Sequence, residues 1–175
     1  MRDFPERLRR TLRAIPDYPK PGIVFQDITP VLQDGLLFRQ VREALAEPFR
    51  ASGITHVVGI EARGFILAAP VAVTLGAGFI PLRKPGKLPW KTIRHEYQLE
   101  YGTDSLEAHQ DACPPGAKVL VVDDVLATGG TAEAAGEMVR RLGGEVAGWS
   151  FLMAIGFLKG EARLHGAPCH IVHSV

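Results

Sequence analysis

An α/β fold, with an open, mainly parallel twisted sheet flanked by helices, is what this sequence predicts, and three observations predict it. Lys118–Val122 (K-V-L-V-V) is a continuous apolar run, the mark of a strand buried on both faces. Short apolar runs alternate along the chain with stretches of helical periodicity, the order that right-handed crossovers between parallel strands require. The strongest run also leads through Gly129-Gly130-Thr131 directly into one of those helical stretches.

The elements follow in order. Phe4, Leu8, Leu12 and Ile15 stand at helical spacing, so an amphipathic helix is expected over 2–14. Pro16, Pro19 and Pro21 then impose an extended segment, because proline fixes φ and cannot donate a hydrogen bond. A second helix is expected over 35–51 from Phe38, Val41, Leu45 and Phe49, with Pro48 predicting a kink or an early end. His56–Ile60 reads as a buried strand, 65–75 as a helix interrupted by Pro70, and Gly78–Leu82 as another strand. Tyr97, Leu99 and Tyr101 alternate with polar neighbours, as do Leu106 and Ala108, which predicts a hairpin turning at Gly102-Thr103-Asp104. A helix runs on through Met138, Val139 and Leu142 to Gly143-Gly144, followed by a strand over 146–155 and a short element near 170–173.

The size and charge of the chain narrow the function. Its 175 residues are ordinary for one domain, and 46% hydrophobic content supplies a core. Twenty basic against 19 acidic residues leave a formal charge of +1, which argues against holding duplex nucleic acid by bulk attraction and leaves small anions open. No apolar run is long enough to span a membrane, and the charged start has no secretory h-region. Two distant cysteines make no disulfide framework, so a cytoplasmic location is expected. His165, Cys169, His170 and His173 cluster near the end without the spacing of a zinc site.

Val119 to Thr131 (V-L-V-V-D-D-V-L-A-T-G-G-T) carries most of the chemistry. Ligands of open α/β sheets bind beyond the carboxyl ends of the strands. A glycine-rich loop opening a helix presents backbone N–H groups and a positive dipole end, which suits a phosphate. Thr128 and Thr131 add hydroxyl donors, while Asp123 and Asp124 suit sugar hydroxyls or a magnesium-bearing ligand. The same residues also fit a capped strand-to-helix turn, with Thr131 as N-cap and both aspartates exposed. The loop is neither a Walker A motif nor a dinucleotide fingerprint.

This segment resembles the phosphoribosyl pyrophosphate (PRPP) loop of the type I phosphoribosyltransferases. Four further segments resemble the adenine branch of that family: D-Y-P-K-P-G-I-V-F-Q-D-I-T-P-V-L at 17–32, E-A-R-G-F at 61–65, R-K-P-G-K-L-P at 83–89 and L-E-Y-G-T-D at 99–104. The likeness runs in order from about residue 15 to 165. It implies a type I phosphoribosyltransferase fold in a single domain over 1–175, with a small hood from about 1–34 and a mobile catalytic hairpin over about 91–110. It also implies magnesium-dependent transfer from PRPP to N9 of adenine, giving AMP and pyrophosphate, by a homodimer that uses neither nucleic acid nor membrane.

The resemblance assigns roles residue by residue. Asp123 and Asp124 would hold the ribose hydroxyls, and Ala127, Thr128, Gly129, Gly130 and Thr131 would cradle the 5′-phosphate. Arg63, after a Glu61–Ala62 peptide bond that is cis in the family, would meet pyrophosphate. Arg83, Lys84 and Lys87 would form a mobile cationic stretch for the diphosphate, part of it serving a neighbouring subunit; without the family they read equally as a solvated loop. Val24, Phe25 and Gln26 would line the adenine pocket with Phe25 stacked on the base, although a lone Phe is as readily core. The family commonly has Arg where this chain has Gln26. Glu100 would contact the purine N7 and handle the moving proton, with Tyr101 closing over the sugar phosphate; by alternation alone Glu100 is an exposed hairpin residue. Magnesium would arrive mainly on PRPP rather than on a protein cage. Two rivals stay open: a preference for hypoxanthine, guanine or xanthine, and a regulator that binds PRPP without turnover.

Overall fold

The computed structural model describes residues 3–98 and 102–175. Five parallel strands form the central sheet: β3 (His56–Ile60), β4 (Gly78–Leu82), β7 (Lys118–Leu126), β8 (Glu145–Ala154) and β9 (Cys169–Ser174). Their spatial order is β4-β3-β7-β8-β9, every neighbouring pair parallel. β7 shows why its sequence is apolar without alternation. Val119 and Val121 enter the core on one face, Leu120 and Val122 the core on the other.

One face is covered by α1 (Phe4–Thr11), α2 (Thr29–Gln33), α3 (Gly35–Ala46) and α4 (Arg63–Leu75), which contribute Leu8, Val31, Val41 and Leu67. Asp34 caps α3 by accepting from the backbone N–H groups of Leu36 and Leu37 at 3.1 and 3.0 Å, and also pairs with Arg7 of α1. The opposite face is covered by α5 (Gly130–Arg141) and by an antiparallel ribbon of β5 (Thr92–Gln98) and β6 (Thr103–His109). Tyr97, Leu106 and Met138 fill that core.

Two prolines act differently. Pro48 ends α3 at Ala46, and a single 3-10 turn, Glu47–Phe49, follows. Pro70 does not interrupt α4. Its missing N–H forgoes the bond to Ile66, a residue on the exposed side of the helix, where water can satisfy the carbonyl. The opening helix is shorter than its spacing predicts. The chain leaves α1 at Thr11 and forms β1 (Arg13–Pro16), antiparallel to β2 (Val24–Asp27). A turn with cis Tyr18–Pro19 joins them, closed by Gly22 N–H donating to Asp17 Oδ1 at 2.8 Å. Thr103 and Asp104 are not turn residues: they are paired in β6 with Gln98 and Tyr97.

β3 is the point where the sheet reverses its direction of growth. The chain after β3 goes through α4 to the β4 edge, and the chain after β7 goes through α5 to β8. The connections therefore diverge above the carboxyl ends of β3 and β7, and a crevice opens between them.

Candidate active site

A cleft of about 660 Å³ occupies this crevice. Of the residues singled out in the sequence, it is lined by Val24, Phe25, Gln26, Arg63, Lys84, Asp123, Asp124 and the whole run Ala127–Thr131. Arg83 and Lys87 are not in its wall. Glu100 and Tyr101 lie outside the described residues.

The glycine-rich loop is shaped by close packing. Gly129, with φ +85°, is the residue that caps α5, and Thr131 is not the N-cap; its hydroxyl meets that of Tyr97. A Cβ on Gly129 would fall 2.4 Å from the Gly160 carbonyl oxygen, so only glycine fits. The first N–H groups of α5 have no partner within the helix and open toward the cleft at its positive end.

The two aspartates are not the exposed pair that a simple capped turn implies. Asp124 is 4% exposed and Asp123 half-buried. The Asp124 N–H donates to Asp123 Oδ1 at 2.9 Å. Burial, then the charge of Asp124, pushes the Asp123 carboxyl well above the usual range. Burial also raises Asp124, against the opposing pull of Arg63. Gly64 lets α4 start this close: a Cβ there would fall 2.7 Å from Asp123 Oδ1. The Glu61–Ala62 peptide bond before α4 is cis.

Arg63 stands between this pair and β2. Its Nε is 2.5 Å from Asp124 Oδ2, and its Cζ lies 5.1 Å from the centroid of the Phe25 ring. Tyr18 meets Phe25 edge-on at 5.3 Å. Ile23 and Val24 keep 43% and 53% of their surface exposed beside the ring, so this end of the cleft is an apolar platform.

The basic loop is partly neutralised. Arg83 donates to both carboxylate oxygens of Glu61 at 3.2 and 3.3 Å, and to the Lys87 carbonyl at 3.0 Å. The Lys84 N–H and then Arg83 hold Glu61 below the usual carboxylate range. Lys84 reaches the cleft, where its ammonium pairs with Asp104.

Tyr97, Asp104 and Glu61 also line the cleft; Glu61 and Asp104 stand in the family-like segments 61–65 and 99–104, but nothing in the sequence assigns any of the three a role. Register alone could have found the first two, since Tyr97 lies opposite Asp104. Among the described residues, no three His, Cys, Asp or Glu side chains gather to hold a metal ion, and His170 and His173 lie along β9. No helix among the described residues is long and apolar enough to cross a membrane.

Known proteins share this sequence pattern and fold. Residues 28–163 match the family model of the phosphoribosyl transferase domain. The chain is 59% identical over 157 residues to the adenine phosphoribosyltransferase of Myxococcus xanthus, covering 90% of this chain and 85% of that one. The crystal structure of adenine phosphoribosyltransferase from Rhodothermus marinus is similar with a TM-score of 0.94 and 52% identity, over 100% of both chains. The Saccharomyces cerevisiae enzyme, complexed with an imino-altritol bisphosphate and adenine, is similar with a TM-score of 0.91 and 38% identity, over 98% of this chain and 99% of that one.

Proposed function

Because the chain belongs to the phosphoribosyl transferase domain family and, within it, to the adenine phosphoribosyltransferases, we propose that PRPP and adenine meet in the cleft between the ends of β3 and β7. The reaction joins N9 of adenine to C1′ of PRPP, releases pyrophosphate and yields AMP, a step of purine salvage. The observation that carries the siting is the convergence of a Gly129-capped anion loop, a carboxylate pair and the Phe25 platform in one crevice.

In this reading the loop Ala127-Thr128-Gly129-Gly130-Thr131 takes the 5′-phosphate through its backbone N–H groups and hydroxyls. Asp123 and Asp124 accept from the ribose hydroxyls. Arg63 and Lys84 face the diphosphate. Arg83 and Lys87, off the cleft wall, serve the neighbouring subunit of a homodimer. Adenine lies on Phe25, with Val24 and Gln26 at its edge.

Asp123 and Asp124 suit a magnesium ion that arrives on PRPP, since Mg²⁺ favours one or two carboxylates together with substrate phosphates. When bound, such an ion neutralises the diphosphate as a leaving group. The protein's own part is to hold both substrates in line and to exclude water, which otherwise intercepts the ribosyl cation character that develops at C1′. Glu100 handles the proton at the purine N7 and Tyr101 covers the sugar phosphate, both roles resting on the family likeness. A cytosolic setting suits two unpaired cysteines.

The test offers each purine base separately to the purified protein with magnesium and PRPP, following nucleotide and pyrophosphate together. Selective AMP formation is expected. Turnover only with an oxopurine would overturn the base platform, and PRPP binding without turnover would favour a regulator. Glu100→Ala should lower kcat far more than PRPP affinity; equal losses defeat its catalytic role.

A further inference from the structure

Lys84 is held at both ends by carboxylates from different parts of the chain. Its backbone N–H donates to Glu61 Oε2 at 2.8 Å, and its ammonium pairs with Asp104 Oδ2. A lysine on a loop ordinarily samples many rotamers and loses that freedom when a ligand orders it. Here the fold itself has fixed the side chain, with the ammonium in the cleft wall.

Asp104 is the less expected member. It lies opposite Tyr97 across the β5–β6 ribbon, so both side chains leave the same face, and both line the cleft. A carboxylate in a crevice that takes a polyanion repels its ligand unless its charge is answered. Asp104 is answered on both oxygens: Oδ1 accepts from the Ser105 N–H at 2.8 Å, while Oδ2 faces the Tyr97 hydroxyl at 3.3 Å and the Lys84 ammonium. Burial, the largest single influence, works against its ionisation, and Lys84, the Ser105 N–H and the Tyr97 hydroxyl together outweigh it, so the carboxyl sits below the usual range. An ammonium has three N–H donors, and the pair with Asp104 leaves the others for a ligand. The Tyr97 hydroxyl also meets Thr131, which ties the same ribbon to the first turn of α5.

We propose that Asp104 is a positioning residue that holds the Lys84 ammonium in the cleft wall as a pre-oriented donor for the diphosphate of PRPP. The proposal rests on the reading of the cleft as the PRPP site. It makes Lys84 a fixed cation rather than part of a mobile stretch, and it gives the ribbon a role in substrate binding separate from any residue at its tip.

The experiment uses the full chain as Asp104→Asn, Asp104→Glu, Lys84→Met and the double variant Asp104→Asn with Lys84→Met. PRPP affinity is measured by calorimetry with magnesium, and KM and kcat with PRPP and adenine varied in turn. Asp104→Asn is expected to weaken PRPP, in Kd and KM alike, about fivefold, the worth of one well-ordered ion pair. The adenine KM should stay within about twofold, since the platform shares no partner with Asp104. Asp104→Glu should regain most of the loss, and Asp104→Asn should add nothing in the Lys84→Met background. An unchanged PRPP Kd in Asp104→Asn overturns the proposal. So does an equal further loss in the Lys84→Met background, which is also how general damage to the ribbon would show itself. Wild-type protein that fails to bind PRPP defeats the site reading itself; normal wild-type binding beside an unmoved Asp104→Asn defeats only the positioning role.

Discussion

Arg63 and Asp124 meet across the junction of α4 and β7, with the guanidinium Nε 2.5 Å from the carboxylate Oδ2. That oxygen is buried and has no aligned hydrogen bond, so the contact is chiefly Coulombic. The same guanidinium lies over Phe25, and one cation therefore borders both the carboxylate pair and the aromatic platform.

Removing that cation should be felt on the PRPP side. Arg63→Ala leaves Asp124 buried without its counter-charge, so its pKa climbs further, and PRPP loses a donor. Affinity for PRPP is expected to fall by about tenfold or more, the equivalent of ~1.4 kcal/mol. Arg63→Lys should recover only part, because an ammonium keeps the charge but not the guanidinium's reach to both Asp124 and the Phe25 ring. Calorimetric titration with PRPP measures both, and an unaltered affinity in Arg63→Ala removes Arg63 from the diphosphate site.

The aspartate pair should trade stability for binding. Asp123 titrates higher folded than unfolded, so between those two pKa values the folded chain keeps a proton that the unfolded chain has released. Stability from this group therefore falls as pH rises through the folded-state pKa. Asp123→Asn removes that slope. At neutral pH its melting temperature should rise by about 2–4 °C, the shift that ~1 kcal/mol gives at this chain length. The gain should shrink on acidification. Asp123→Asn combined with Asp124→Asn should remain folded and lose PRPP binding altogether; a folded double variant with normal binding rules out the ribose role.

PRPP affinity in the wild-type protein should itself depend on pH. In the proposed reading the ribose hydroxyls are met by ionised acceptors, and burial pushes Asp123 well above the ordinary carboxylate range and raises Asp124 as well. Binding is expected to weaken on acidification before exposed carboxylates begin to titrate. A pH series of dissociation constants checks this, and a flat profile down to the ordinary carboxylate range contradicts it.

Two glycines with the same φ of +85° separate conformation from packing. A Cβ on Gly22 would meet nothing within 4 Å, whereas one on Gly129 would lie 2.4 Å from the Gly160 carbonyl oxygen. Gly22→Ala should cost only the left-handed backbone term, about 1 kcal/mol. Gly129→Ala should cost about 2–4 kcal/mol and weaken PRPP binding as well, because the loop must move. Thermal melts and PRPP titrations of the two variants side by side decide it; equal costs would mean that the loop can yield freely.

Where a residue's setting is local, the sequence is readable. His56–Ile60 and Gly78–Leu82 have the bounds their apolar runs suggest, and Pro48 stops α3 as proline chemistry requires. The glycine-rich turn after β7 is equally plain. What escapes depends on partners far along the chain. Leu12 and Ile15 continue a helical stripe, yet Arg13–Pro16 is a strand because β2 returns beside it through the turn at Tyr18–Pro19. Tyr97 and Asp104 look like ordinary alternating ribbon residues. Only their register, and the position of the ribbon over α5, aims them at Lys84 and Thr131. The burial of Asp124 likewise arises from α4 packing on β7, which no local pattern encodes.

The β1–β2 pair is a sheet of its own, with no hydrogen-bonded place among the five parallel strands. It carries Val24, Phe25 and Gln26, while the anion loop and carboxylates belong to β7 and α5. In the proposed reading, the platform for the base and the grip on the sugar phosphate thus come from different sheets, and Arg63 is the side chain that touches both. A substitution in that ribbon which shifted Phe25 would therefore be carried by one guanidinium to the carboxylates of another sheet, so that the choice of base and the hold on the ribose would evolve together.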